Sequence, residues 1–174
     1  MIKKLLVPVD GSAQSVKAVE LASDLATKFG AEVILLHVLL RGHMPEGLKR
    51  AIEVEVGARG GGGGSAAPVN IPQEIMARVQ DKQTTQLSLE ALDVIAKYVL
   101  SKVATLCRDK GVEKVTQSVE EGDPAEIILA KAESAGVDMI VMGNRGLSSL
   151  KGMLVGSVSQ KVGALARCTC VTVK

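Results

Sequence analysis

Apolar residues occur in this chain as short unbroken runs, separated by longer segments where they recur every three or four positions. The run from Ile2 to Val9 is branched and almost continuously apolar after Lys3 and Lys4, as in a strand buried on both faces. It ends at Asp10-Gly11-Ser12. Ser12 suits an N-cap, and Val16, Val19, Leu21, Leu25 and Phe29 then keep helical spacing until Gly30 offers a left-handed stop. Glu32 to Leu40 carries the run Val33-Ile34-Leu35-Leu36-His37-Val38, so a crossover and a parallel pairing with the first strand are predicted. Further on, Leu89, Leu92, Ala96, Val99, Val103 and Leu106 predict a crossover helix over roughly 86 to 109, closed by Gly111. Val112 to Val119 reads as a weaker, alternating strand. Asp123 as N-cap, Pro124 at the first helical position and Glu126 three residues past the cap predict a capping box and a helix ending near Gly136. Asp138 to Met142 is a short buried strand, Ser157 opens a last helix over Val158 to Ala166, and Cys168 to Val173 is a fifth strand.

Residues 41 to about 85 break the rhythm. Gly57, Gly60 to Gly64 and Ser65 form a tract with the composition of a flexible linker. Beyond it, Ile71, Ile75 and Val79 lie four apart among charges, which predicts a short amphipathic helix starting near Pro72. The remaining order of strands and helices predicts an α/β fold over 1–174, a single domain with a Gly-rich insertion around 41–85. Its core is a five-stranded parallel open sheet, Rossmann-like, with right-handed crossovers and helices on both faces. Ligands of such sheets sit beyond the carboxyl ends of the strands.

Composition narrows the function. The chain has 174 residues, 47% hydrophobic and 23% charged, which fits one globular domain. Lys and Arg total 21 against 19 Asp and Glu, a balance of +2 that supplies too little field to hold nucleic acid through bulk charge. Phe29 and Tyr98 are the only aromatics, so no platform for stacking several bases can be built. Cys107, Cys168 and Cys170 are an odd set and predict thiols of a reducing compartment. The opening run is too short for a signal peptide and no stretch of 18 apolar residues is present, so a cytoplasmic protein without a membrane partner is expected. Cys168-Thr169-Cys170 lacks a companion Cys-x-x-Cys or clustered His, so no metal site is predicted there. His37, inside an apolar strand, reads as a satisfied core imidazole.

The most informative stretch is Gly143-Asn144-Arg145-Gly146, followed after nine residues by Gly156-Ser157-Val158-Ser159. Gly143 follows a buried strand and lets the backbone turn close to a ligand, and Gly146 permits a second close approach. Gly156 and Ser157 lie where a helix begins, so unpaired N–H groups, the positive end of the dipole and the hydroxyls of Ser157 and Ser159 suit phosphate oxygens. Arg145 and Lys151 can add charge-assisted bonds. The alternative is that these glycines only make turns and Ser157 only caps a helix. Asp10, an acid at a strand end, reads as an acceptor for ribose hydroxyls or an indirect metal anchor, with a helix-entry cap as its alternative.

The sequence resembles the universal stress protein family. The likeness runs through VPVDGS at 7 to 12, the strand ending at His37-Val38, EEGDPAEIIL at 120 to 129 and MGNRGLSSLKGMLVGSVSQKV at 142 to 162. The last block matches the ATP-binding signature of one branch of that family, G-x2-G-x9-G-[S/T]. The resemblance implies an adenine nucleotide alpha-hydrolase-like fold and an ATP lying across the strand ends. Pro8, Val9 and Asp10 would flank the adenosine, and the backbone at Val38 would meet the adenine edge. Met142 and Gly143 would line the base and ribose, and Gly146, Gly156, Ser157, Val158 and Ser159 would take the phosphates. Magnesium would come as a companion of the triphosphate. In the family the last strand pairs with its symmetry mate, so Val171, Thr172 and Val173 imply a homodimer contact. Thr169 stands where members commonly carry proline.

Taken together these features predict a homodimeric ATP-binding regulator of stress physiology, with a protein partner reading its nucleotide state. Slow hydrolysis or none is expected, because no histidine or acidic base sits in the phosphate motif. Two other classes stay open: an interaction module acting through 57–85 without nucleotide, and a small adenylate-forming enzyme. The latter class carries its phosphate loop just after the first strand, where this chain reads Asp10-Gly11-Ser12-Ala13.

Overall fold

A computed structural model of the chain describes residues 1–39, 89–146 and 156–174. The predicted insertion of 41–85, the amphipathic stretch 71–82, His43 and Lys151 lie outside the described residues. The continuous apolar runs form β1 (Lys4–Pro8), β2 (Glu32–Leu39) and β4 (Met139–Gly143), the weaker, alternating one forms β3 (Val115–Glu121), and the last forms β5 (Thr169–Val173). They make one five-stranded sheet of order β3-β2-β1-β4-β5 in which each pairing is parallel. β1 sits at the centre, with Leu6 in register with Ile34 on one side and Ile140 on the other.

Alternation along the strands divides the core in two. Leu5, Val7, Val33 and Leu35 face one way and pack with Ala18, Val19 and Ala22 of α1 (Ala13–Phe29) and Ile95, Val99 and Val103 of α2 (Leu89–Asp109). Leu6, Ile34, Leu36 and Ile140 face the other way, against Ile128 of α3 (Pro124–Ala135) and Val162 of α4 (Ser157–Leu165). Helices thus cover both faces, as the runs of aliphatic residues require of a parallel sheet.

The helix ends explain the local folding. Ser12 caps α1 by accepting from the Ser15 N–H, and Gly30 closes it at φ 64°. Asp123 caps α3 by accepting from the Glu126 N–H, with Pro124 at the first turn and Gly136 at φ 61° as the stop. The predicted capping box is half made: the Glu126 carboxylate lies 3.3 Å from the Lys161 ammonium on α4, which it shares with Asp123. Among the described residues the largest shift of a predicted start is at β3. β3 begins at Val115 rather than Val112, because the Val112 N–H donates to Cys107 O and its side chain plugs the core just past the Gly111 turn. The cap of α4 is Gly156 and Ser157 is its first residue.

Candidate functional site

The carboxyl ends of the three central strands, β2, β1 and β4, form the floor of the site. The chain leaves β1 at Pro8, and the Val9 N–H, bonded to Leu36 O at 2.8 Å, holds the exit against β2. Asp10 follows, its Oδ1 accepting from the Ser12 N–H at 3.0 Å. Because Ser12 is the cap, Asp10 acts one step earlier, shaping the turn and presenting its carboxylate above the strand ends. Val38 lies near the end of β2 in register with Glu120, half-buried toward α3 and α4.

From β4 come Met142 and Gly143. The Met142 side chain is buried in the core, so its backbone is what borders the site. Gly143 has no room for a side chain: a Cβ there would lie 2.8 Å from Gln14 Cβ and 3.0 Å from Arg145 O. Gln14, in the first turn of α1, is the neighbour that sequence reasoning missed, since nothing local to it announces the contact. Gly146 passes directly over Asp10, where a Cβ would come within 2.5 Å of Oδ2. A strand exit early in the chain and a bend late in it therefore meet at one carboxylate.

The second half of the late motif closes on the first. The Gly156 N–H donates to Asn144 O at 2.7 Å, and a Cβ on Gly156 would stand 3.5 Å from Arg145 Cα. Gly156 caps α4 without any side-chain hydrogen bond, unlike Ser12 and Asp123 on α1 and α3. The first intrahelical bond is Gln160 N–H to Gly156 O at 3.1 Å, so the amides of Ser157, Val158 and Ser159 precede the ladder and sum with the dipole into a local positive end. Ser157 is exposed there, Val158 is half-buried against the core, and Ser159 is buried. Arg145, half-buried, lies on the bend beside this mouth.

His37 differs from expectation. Its Nδ1 is buried with no hydrogen-bond partner among the described residues, so the imidazole is satisfied on one side only. Burial lowers its proton affinity below the ordinary value of 6.5, partly countered by the charge of Asp10 and a hydrogen bond with the Val9 backbone. A depressed histidine binds fewer protons folded than unfolded, so it stabilises fully above 6.5 and this contribution is lost as pH falls below that value. Glu120, Asp123 and Asp138 are held below the usual carboxylate range by bonds from Lys131, the Glu126 N–H and the Lys3 N–H, so their losses come at lower pH. Melting temperature is expected to fall from pH 6.5 toward 4.5 in the parent protein and to stay flatter in a His37→Gln variant. Parallel melting curves would remove His37 from this account.

Among the described residues no group of three or more His, Cys, Asp or Glu is placed to hold a metal, and no helix is long and apolar enough to cross a membrane. The three thiols are unpaired, and burial pushes each above its ordinary value.

Comparison with known proteins bears on this arrangement. The profile of the Universal stress protein family matches residues 1–61 and 65–174. The chain is 32% identical to the universal stress protein YxiE of Bacillus subtilis over 174 residues, 100% of both chains. The solved structure of MJ0577, a Methanocaldococcus jannaschii protein, superposes with a TM-score of 0.67 at 28% identity, covering 100% of this chain and 96% of that one. A universal stress protein from Archaeoglobus fulgidus, solved in complex with dAMP, gives 0.60 at 18% identity over 100% and 98% of the two chains.

Proposed function

The chain belongs to the universal stress protein family, and from that premise we propose that it binds ATP across the carboxyl ends of β2, β1 and β4. The observation that carries the reading is the mouth of α4, capped by a residue without a side chain and held against the 143–146 bend. In this reading the backbone at Val38 meets the adenine edge and Pro8, Val9 and Asp10 flank the adenosine. Met142 and Gly143 border the base and ribose. The amides of Gly146, Ser157, Val158 and Ser159 face the phosphates, with the Ser157 hydroxyl and Arg145 beside them; the Gly156 N–H is spent on Asn144 O, so Gly156, expected as a phosphate donor, contributes clearance instead. Residues of this kind fit the group: the Ser157, Val158 and Ser159 amides precede the α4 ladder, and the Asp10 carboxylate lies against the bend at Gly146, within reach of a ligand's sugar. The dAMP complex of the Archaeoglobus relative supports an adenine nucleotide as the ligand class.

Magnesium enters as the companion of the phosphate oxygens, which it prefers to an all-protein cage. The segments 143–146 and 156–159 bring no histidine or carboxylate of their own, and the carboxylate that Gly146 meets, Asp10, is taken up by the sugar in this reading, so the protein acts as a nucleotide-dependent regulator in the stress response, with slow turnover or none. It works in the cytoplasm and passes its state to a protein partner. β5 lies at the sheet edge by strand order, and Val171, Thr172 and Val173 supply the contact of a homodimer.

Native mass spectrometry of freshly purified protein reads ligand and copy number together. A dimer is expected, carrying the mass of an adenine nucleotide or acquiring it on addition of millimolar ATP. Protein that takes up neither ATP nor AMP would overturn the ligand, and a monomer at micromolar concentration would overturn the β5 contact.

A further inference from the structure

Resting on that nucleotide reading, we infer that the Ser159 side chain is not a phosphate ligand but the positioning latch that holds the bend after β4 onto the mouth of α4. Ser159 is 4% exposed, and its Oγ lies 2.9 Å from Asn144 O and 2.9 Å from Gly156 O. A hydroxyl has one proton to donate. Shared between two carbonyls, it has none for a phosphate oxygen, which at neutral pH offers lone pairs and needs donors. Ser157, exposed at the first helical position, has the placement that a direct side-chain donor requires.

The two acceptors differ in meaning. The bond to Gly156 O is the local back-bond open to any serine in a first helical turn. The bond to Asn144 O spans 15 residues and crosses from the helix to the bend. Asn144 O also accepts the Gly156 N–H at 2.7 Å, while the Asn144 N–H donates to Val173 O at 2.7 Å. Asn144 is thus gripped between the end of β5 and the start of α4, and the Ser159 hydroxyl joins that grip from the helix side. Its effect is to set the spacing between the amides of the bend and those of the helix mouth before a ligand arrives, so that less ordering is needed on binding.

The latch is tested by titrating ATP and AMP into the parent protein, Ser159→Ala and Ser159→Thr. Ser159→Ala leaves Asn144 O paired with the Gly156 N–H, so nothing buried is orphaned and the variant is expected to fold. ATP affinity should fall about tenfold, the scale of one hydrogen bond's positioning, while AMP affinity falls less than about twofold. Ser159→Thr, which keeps the hydroxyl, should restore ATP binding. Hydrogen exchange of the Gly156 amide should be slow in the parent protein without nucleotide and faster in Ser159→Ala. Equal losses for ATP and AMP would reduce Ser159 to general structure and overturn the latch. Unchanged ATP binding in Ser159→Ala, or rapid Gly156 exchange in the parent, would do the same. A parent protein that binds no ATP would sink the nucleotide reading itself, a failure visible before any variant is made.

Discussion

Gly143→Ala is expected to lower stability by about 2 kcal/mol and to weaken ATP binding at least about tenfold. The backbone at Gly143 is not in the left-handed region, so alanine adopts it without strain and the effect is purely steric. The new methyl would lie 2.8 Å from Gln14 Cβ and 3.0 Å from both Gln14 C and Arg145 O. None of these is the tip of a flexible side chain. Either the first turn of α1 must retreat, opening the core beneath Val19, or the 143–146 bend must lift away from Asp10. Inserting a group into such packing costs about 1–3 kcal/mol, and in a chain of this length each kcal/mol moves the melting temperature by about 2–4 °C. The lifted bend also draws its amides away from the α4 mouth. Gly163→Ala is the control: it lies within α4 with nothing inside 4 Å of an added Cβ, and removing a helical glycine there should stabilise by about 0.5–1 kcal/mol. Thermal melts with ATP titrations of both variants decide the matter. A Gly143→Ala protein that melts and binds like its parent would show that the contact with Gln14 yields freely.

Much of the fold was legible in sequence because its signals are local. Val33 to Leu36 is apolar at each step, which only a strand covered on both faces tolerates, and Ser12 and Asp123 announce helix starts by side chains that bond amides three residues on. Reading failed where a residue's role is fixed from far away. Val112 is branched and apolar, so it looked like strand, yet the turn at Gly111 folds it back to close α2. His37 occurs in an apolar run, and nothing in the run tells that its Nδ1 has no partner among the described residues. The glycine spacing of the late motif was visible, but its tertiary reasons were not: Gly143 yields to Gln14 and Gly146 to Asp10, contacts that periodicity cannot encode. The two serines of Gly156-Ser157-Val158-Ser159 looked equivalent, and only the helical rotation between them turns one outward and the other into the core.

Asp10→Asn is expected to weaken ATP and AMP in parallel, by about tenfold to a hundredfold, the range set by losing a charged acceptor worth about 1.5–3 kcal/mol. Asparagine is nearly isosteric and its Oδ1 can still accept from the Ser12 N–H, so the turn into α1 survives and the change is one of charge and acceptor count. The parallel loss is what distinguishes a ribose acceptor from the indirect metal anchor: both ligands carry the sugar, whereas a role through magnesium would penalise the triphosphate alone. A second readout comes from His37, whose protonation the charge of Asp10 favours. Neutralising that charge lowers the folded-state proton affinity of His37 further below 6.5, which widens the gap to the unfolded chain. The variant should therefore lose more stability than its parent as pH falls from 6.5 toward 4.5, and the excess should vanish in the Asp10→Asn, His37→Gln double variant. If ATP alone weakens, the carboxylate serves the phosphate end. If neither ligand weakens, Asp10 only shapes the turn, and the sugar must be recognised by the backbone at the strand ends.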